Sequence, residues 1–230
     1  MKRILAWLIV TVLALSGCGA TESAVKANTN TDLENGIKSL RIAIDPGHGG
    51  IDRGASGTKT GVSEDELNLA IAQLLAKKFM LSGADVLLTR TTADVVYDEK
   101  GDTLKRRDMN HRSKIIQEQD PHVMVSIHMN MYPNAKYSGA QTFYDKGSEE
   151  GRKLAQSIQQ ALRDGLPGDN KREIKVGDYF VLKITEQPSA LVECGFLSNA
   201  AEEKNLSDPD YQQKVADCIF KGICSYLGVQ

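Results

Sequence analysis

Short apolar runs and longer stretches with helical spacing alternate along most of the chain. The short runs are rich in Val, Ile and Leu, and they predict strands at 40–44, 84–90, 122–128, 139–144, 179–182 and 190–195. Apolar positions at helical spacing predict helices over 64–81, 104–118, 149–164 and 211–227. Strands that alternate with helices of this length predict a single α/β domain, in which a twisted, largely parallel or mixed sheet of about six strands is flanked by helices.

The beginning of the chain has a different pattern. Its basic start, Met1-Lys2-Arg3, precedes a nearly unbroken apolar run over 4–15. This order is typical of an export signal, and the run is shorter than the roughly 20 residues that cross a membrane. The sequence Leu-Ser-Gly-Cys at 15–18 resembles the bacterial lipoprotein box. We therefore expect a lipoprotein-type signal peptide at 1–17 and lipidation of Cys18; a plain signal anchor or an ordinary cleaved signal is the alternative.

Polar residues without periodicity follow the signal. They predict a flexible tether over 18–39, and the folded domain then occupies 40–230. Together with the signal, this organisation predicts an exported protein that is held at the outer face of the cytoplasmic membrane by its N-terminal lipid or signal anchor.

Composition excludes several classes of protein. The net charge of −2 and the lack of a basic block with interleaved aromatic residues argue against a nucleic-acid partner. The cysteines that follow the signal, Cys194, Cys218 and Cys224, have no paired spacing, so a disulfide framework is not expected. A domain of roughly 190 residues buries enough surface to fold without a metal, which makes a catalytic metal more plausible than a structural one.

Two histidines and one glutamate stand out as candidate metal ligands. His48 follows the first predicted strand, and His128 ends the strand at 122–128. Open α/β sheets bind their ligands at such strand ends. Glu64 begins the first long helix. Each residue also has an ordinary interpretation. His48 could be a surface histidine in a glycine turn, His128 could be a core histidine, and Glu64 could be an acid that the helix dipole favours in the first turn. Together they match the His₂Glu set of catalytic zinc, which leaves a fourth position for water, so we expect one Zn²⁺ per chain.

A further acid lies inside an apolar strand. Glu193 interrupts the run at 190–195, where a charge is costly unless it is paired or functional. A carboxylate beside a metal-bound water can take its proton and later give it to a leaving amine. The alternative is a buried salt bridge, for example to Arg112.

Four sequence blocks carry a resemblance to a known family. They are Asp-Pro-Gly-His-Gly-Gly at 45–50, the start of the helix at Glu64 with Asn-Leu-Ala-Ile-Ala at 68–72, Ser-Ile-His-Met-Asn at 126–130, and Val-Glu-Cys-Gly-Phe-Leu-Ser-Asn at 192–199. In this order, over roughly 40–227, they resemble the zinc-dependent N-acetylmuramoyl-L-alanine amidases. Within that family the spacing looks most like the sporulation-specific amidase, which acts in the spore cortex and helps to form muramic-δ-lactam.

The resemblance implies roles for individual residues. It implies zinc on His48, Glu64 and His128, and Glu193 as the catalytic carboxylate. Arg112 lies where the family has an arginine. Its implied role is either to contact the substrate or to stabilise the structure of the site.

Asn130 lies two residues after the candidate ligand His128 and is expected to contact substrate or support the metal; a plain turn residue is the alternative. The implied substrate is the amide bond between N-acetylmuramic acid and the L-alanine of the stem peptide in peptidoglycan. The sequence leaves open an accessory protein and a forespore location. It also leaves open two other functions: a zinc peptidase that cuts within the stem peptide, and an inactive lipid-anchored protein that only binds the wall.

Overall fold

The computed structural model describes residues 36–229, and a six-stranded sheet organises them. The strands are β1 (Arg41–Pro46), β2 (Asp85–Leu88), β3 (Val123–Asn130), β4 (Gln141–Tyr144), β5 (Lys175–Val176) and β6 (Ser189–Phe196). Their order across the sheet is β2-β1-β3-β6-β4-β5. Only the β4–β6 pairing is antiparallel among these strands. The predicted α/β domain with a largely parallel, mixed sheet is confirmed.

Helices cover both faces of this sheet. They are α1 (Glu64–Leu81), α2 (Leu104–Gln119), α3 (Glu149–Gly165), α4 (Ala200–Leu206) and α5 (Pro209–Leu227), with a short 3₁₀ helix at Phe180–Lys183. Alternate side chains of β1, β3 and β6 pack in a large core with α1, α3 and α5. The remaining side chains form a smaller core with α2 and the 3₁₀ helix. The central strands are apolar because both of their faces are buried.

The sequence pattern was wrong in one segment and missed two others. The run at 179–182, predicted as a strand, is the start of the 3₁₀ helix. Within this run, the adjacent residues Val181 and Leu182 are both buried in the smaller core. Adjacent residues of a strand would instead point to opposite faces of the sheet. The seven-residue helix α4 and the two-residue strand β5 were not predicted.

The domain begins slightly before residue 40. Residues 36–38 form a helical turn, and Ile37 is buried in the large core. The predicted signal peptide, Cys18 and most of the predicted tether lie outside the described residues. Within 36–229, no helix combines the length and the apolar character needed to cross a lipid bilayer.

A glycine allows α3 and α5 to pack closely. A Cβ atom on Gly222 would lie 2.5 Å from Cα of Ile158, which is closer than real Cβ atoms approach backbone. The Ser157 hydroxyl also donates to the carbonyl of Gly222 at 2.8 Å. Backbone atoms of both helices therefore form this contact. A side chain at residue 222 could be accommodated only by moving one helix backbone, because no side-chain movement would make enough room.

We expect Gly222→Ala to destabilise the domain. Overpacking of such a contact costs about 1–3 kcal/mol of unfolding free energy. That cost exceeds the gain of about 1 kcal/mol that alanine offers in a helix. Urea denaturation of the 36–230 protein measures the difference. Ser225→Ala, on the exposed side of the same helix, is the control and should be as stable as wild type. If Gly222→Ala were also as stable as wild type, α3 and α5 would not be in close contact at this position.

Candidate metal centre

Three segments bring the predicted metal ligands to one place. His48 follows β1, Glu64 is the first residue of α1, and His128 lies on β3. Oε1 of Glu64 is 3.0 Å from Nδ1 of His128 and 3.3 Å from Nε2 of His48. One ligand atom from each residue lies within 4.8 Å of the other two. The sequence placed these residues at strand and helix ends, and the structure brings all three together.

Glycines make room for this convergence. A Cβ atom on Gly47 would lie 2.2 Å from the ring of His128. A Cβ atom on Gly54 would lie 2.6 Å from Oε2 of Glu64, and this glycine has a φ of +67°. The loop that connects β1 with α1 therefore passes the ligands at a distance that only glycine permits.

His48 itself has an unusual backbone. Its φ of +62° lies in the left-handed region, which is uncommon for a residue with a side chain. The Arg112 guanidinium donates to the carbonyl of His48 at 2.6 Å and to that of Pro46 at 3.0 Å. Arg90 donates to the carbonyl of Gly47 at 3.0 Å. Two buried arginines thus hold the three carbonyls of this turn.

Arg112 has no capacity left for a substrate. Besides the two carbonyls, it donates to Asp45 at 2.9 Å and to both carboxylate oxygens of Asp108 at 2.9 and 2.8 Å. These contacts use all five N–H groups of the guanidinium. The geometry therefore favours the structural role of Arg112 over substrate contact. No ion pair between Arg112 and Glu193 is found in the described part of the chain.

The Glu64 carboxylate is oriented by donors from several elements. Oε1 accepts the backbone N–H of Met129 at 3.1 Å, and Oε2 accepts that of Ala55 at 2.8 Å. Burial alone would raise the pKa of Glu64, but hydrogen bonds and charge from His128 and His48 lower it well below its usual range. Glu64 is therefore ionised, as a candidate metal ligand must be.

Asp52 lies behind His48. Its Oδ1 is 3.0 Å from Nδ1 of His48, close enough for charge interaction, although the orientation falls short of a hydrogen bond. Burial disfavours ionisation of Asp52, but Lys105 and His48 hold its pKa at about 2. The negative charge of Asp52 at this distance increases the basicity of the His48 ring.

The centre is built to bind positive charge. Burial lowers the pKa of His48, but Glu64 and Asp52 outweigh burial and raise it above its ordinary value. The carboxylates that favour positive charge on this imidazole also favour a metal dication at the same place. Two nitrogens and one carboxylate oxygen match the ligand set of catalytic zinc.

Glu193 is the unpaired acid of the centre. It lies on β6 directly beside His128 of β3, with 8% of the residue exposed, and its Oε2 has no hydrogen-bond partner in the protein. Burial and the charge of Glu64 raise its pKa to about 7, against the opposing effect of His128 and His48. A carboxyl with such a pKa can both accept and donate a proton near neutral pH.

A cavity of about 450 Å³ opens over these residues. The three ligands and Glu193 line it, and so does Asn130, which follows a β-bulge at the end of β3. The sequence analysis missed Arg90 and Asp52. Asp52 could have been found from its position four residues after a candidate ligand, whereas Arg90 ends an apolar run and gives no sign that it turns inward.

Comparisons with known proteins agree with this geometry. A sequence profile described as N-acetylmuramoyl-L-alanine amidase matches residues 42–225. The germination-specific N-acetylmuramoyl-L-alanine amidase of Bacillus subtilis (strain 168) is 37% identical over 81% of this chain and 79% of its own length.

Solved structures give the same result. The CwlD amidase of Clostridioides difficile, in complex with the GerS lipoprotein, has a TM-score of 0.79 at 39% identity, over 84% of this chain and all (100%) of that one. The catalytic domain of CwlV, an N-acetylmuramoyl-L-alanine amidase from Bacillus (Paenibacillus) polymyxa var. colistinus, has a TM-score of 0.73 at 30% identity, over 83% of this chain and 99% of that one.

The profile covers both the β1 turn and the strand of Glu193, and the relatives share the fold over nearly the whole described domain. The resemblance seen in the sequence is confirmed: this chain belongs to the N-acetylmuramoyl-L-alanine amidase family.

Proposed function

We propose that this family member is a zinc-dependent hydrolase that cleaves the amide bond between N-acetylmuramic acid and L-alanine in peptidoglycan. The observation that carries the proposal is the buried, unpaired Oε2 of Glu193 in a cavity shared with His48, Glu64 and His128. An ionisable group without a partner is costly in a folded protein, so its retention points to a role in chemistry.

Zinc would be held by His48, Glu64 and His128, and when bound it lowers the pKa of a water and polarises the carbonyl of the substrate. The remaining steps belong to the protein. Glu193 takes the proton of the attacking water as the C–O bond forms. It then donates this proton to the amide nitrogen, so that the C–N bond breaks and the stem peptide leaves with a free amine.

Other residues support this chemistry. Asp52 and the Met129 and Ala55 amides fix the ligands, and Arg112 and Arg90 fix the turn of His48. Asn130 lines the cavity and is placed to contact the substrate, in keeping with its predicted role.

We further propose that the substrate is spore cortex peptidoglycan and that the protein acts outside the cytoplasmic membrane, anchored through Cys18 or its signal. The similarity to a germination-specific amidase supports the first part, and the lipoprotein box supports the second. We also propose that an accessory protein binds this chain. The support is the similar structure of the Clostridioides difficile CwlD amidase, which is in complex with the GerS lipoprotein.

We expect digestion of purified peptidoglycan to release stem peptides that begin with free L-alanine, as measured by mass spectrometry. A chelator should abolish the release, because the two histidines and Glu64 cannot activate water without a metal, and zinc should restore it. Fragments cut within the stem would instead indicate a peptidase. Zinc-loaded protein that leaves peptidoglycan intact would support a protein that only binds the wall.

We expect Glu193→Gln to keep its metal and lose turnover. The variant preserves the size of the side chain and the three ligands but removes the proton carrier, which is worth about 10²–10⁴-fold in kcat. Steady-state rates and metal content by atomic absorption test this. Glu186→Gln, an exposed acid shortly before the same strand, is the matched control and should keep full activity; wild-type turnover in Glu193→Gln would remove Glu193 from the mechanism.

A further inference from the structure

Two cavities meet at Met131, beside the metal centre. The first arm runs from the ligands between α2 and the 3₁₀ helix, and its walls include Met109, Tyr179, Phe180 and Leu191. The second arm is a neighbouring cavity between the loop at 58–59, the segment 131–135 and the start of α4. Met131 lines both arms. The cavity that contains the metal centre therefore adjoins a second cavity with a different lining.

Two exposed aromatic rings from adjacent residues line the first arm, whereas the second arm has one, that of Tyr132. Phe180 is 45% exposed and Tyr179 is 37% exposed. Tyr179 is fixed by an edge contact with Phe143 at 5.5 Å between ring centroids. Exposed rings on a fixed wall suit the apolar face of a sugar ring, since aromatic side chains bury a large area at low entropic cost.

The cations near the first arm are already occupied. Lys105 contacts Asp52 at 2.9 Å, and Lys183 pairs with Asp178. The guanidinium of Arg106 lies 5.2 Å from the centroid of the Phe180 ring. The first arm therefore suits a neutral ligand better than an anionic one.

The second arm offers an available positive charge. Lys59 lines it, is exposed, and forms no ion pair within residues 36–229. Its backbone is fixed because the N–H groups of Lys59 and Thr60 donate to the buried Glu203 carboxylate at 2.9 and 2.7 Å. The lysine is thus presented from an anchored loop, and an ammonium group on such a loop can attract a carboxylate.

The proposed substrate has the same two-sided character. A neutral sugar strand lies on the acyl side of the scissile amide, and a peptide with carboxylates lies on the amine side. Resting on the proposed function, we propose that the sugar strand occupies the first arm along Tyr179 and Phe180, and that the stem peptide occupies the second arm with a carboxylate facing Lys59. This arrangement determines which part of the substrate each wall recognises.

The test uses two substrate series with the zinc-loaded protein. One series lengthens the sugar part of a muramoyl peptide, and the other replaces the free carboxylate of its glutamate by an amide. Phe180→Ala and Lys59→Gln probe the two arms. Met80→Ala, at a position that is 52% exposed and about 24 Å along α1 from Glu64, controls for loss of an exposed apolar side chain. Lys77→Gln, exposed on the same helix, controls for loss of a positive charge.

We expect each variant to affect only one series. Phe180→Ala should reduce the gain in kcat/KM from added sugars about threefold to tenfold and leave the carboxylate preference unchanged. Lys59→Gln should reduce the preference for the free carboxylate about threefold and leave the sugar dependence unchanged. Both controls should match wild type in both series.

Three results would overturn this assignment. If the effects are exchanged between the variants, the substrate lies in the opposite direction. If both variants match wild type in both series, neither wall recognises substrate. If the wild-type protein cleaves no muramoyl peptide at all, the proposed function fails and the assignment fails with it.

Discussion

The turn that carries His48 depends on two guanidinium groups buried beneath it. The left-handed backbone of His48 costs roughly 1–3 kcal/mol, and Arg112 and Arg90 offset this cost by binding the carbonyls of residues 46–48. Arg112 is tolerated inside the protein because Asp45 and Asp108 pair with it. Asp45 is in turn held by Thr89 and Ser126. Removing one partner of such a buried network costs about 3–5 kcal/mol of unfolding free energy. The position of His48 therefore depends on the pairing of these buried charges.

The same fold places two carboxyls of opposite character in one cavity. Glu64 is surrounded by donors and imidazoles, which lower its pKa, whereas burial without a partner raises the pKa of Glu193 to about 7. Environments that separate two carboxyls in this way divide the work between them. In the proposed mechanism, Glu64 serves as a permanent anion for the metal cation, and Glu193 serves as a carrier of protons. The parallel pairing of β3 with β6 makes this possible because it sets His128 and Glu193 next to each other.

Most of the fold and the grouping of the candidate site residues could be predicted from the sequence, but the supporting contacts could not. Buried parallel strands give continuous apolar runs, so β1, β3 and β6 were recognisable, and Glu193 was conspicuous as the charge within one of them. The run at 179–182 is too short for its periodicity to separate a strand from a turn of helix. Helix α4 is also short, although Asn199 at its N-cap and the acids of its first turn were available signals. The contacts of Arg90, Arg112 and Asp52 depend on tertiary packing, which no local pattern records.

Convergence of two imidazoles and one carboxylate on a single ion is the central claim. X-ray absorption at the zinc edge of the metal-loaded protein tests it most directly. One zinc per chain is predicted, with two imidazole nitrogens and otherwise oxygen ligands. Replacing either His48 or His128 by alanine should reduce the two imidazole nitrogens to one or release the zinc. A spectrum with sulfur ligands, or one that the two replacements leave unchanged, would place the metal elsewhere and contradict the account.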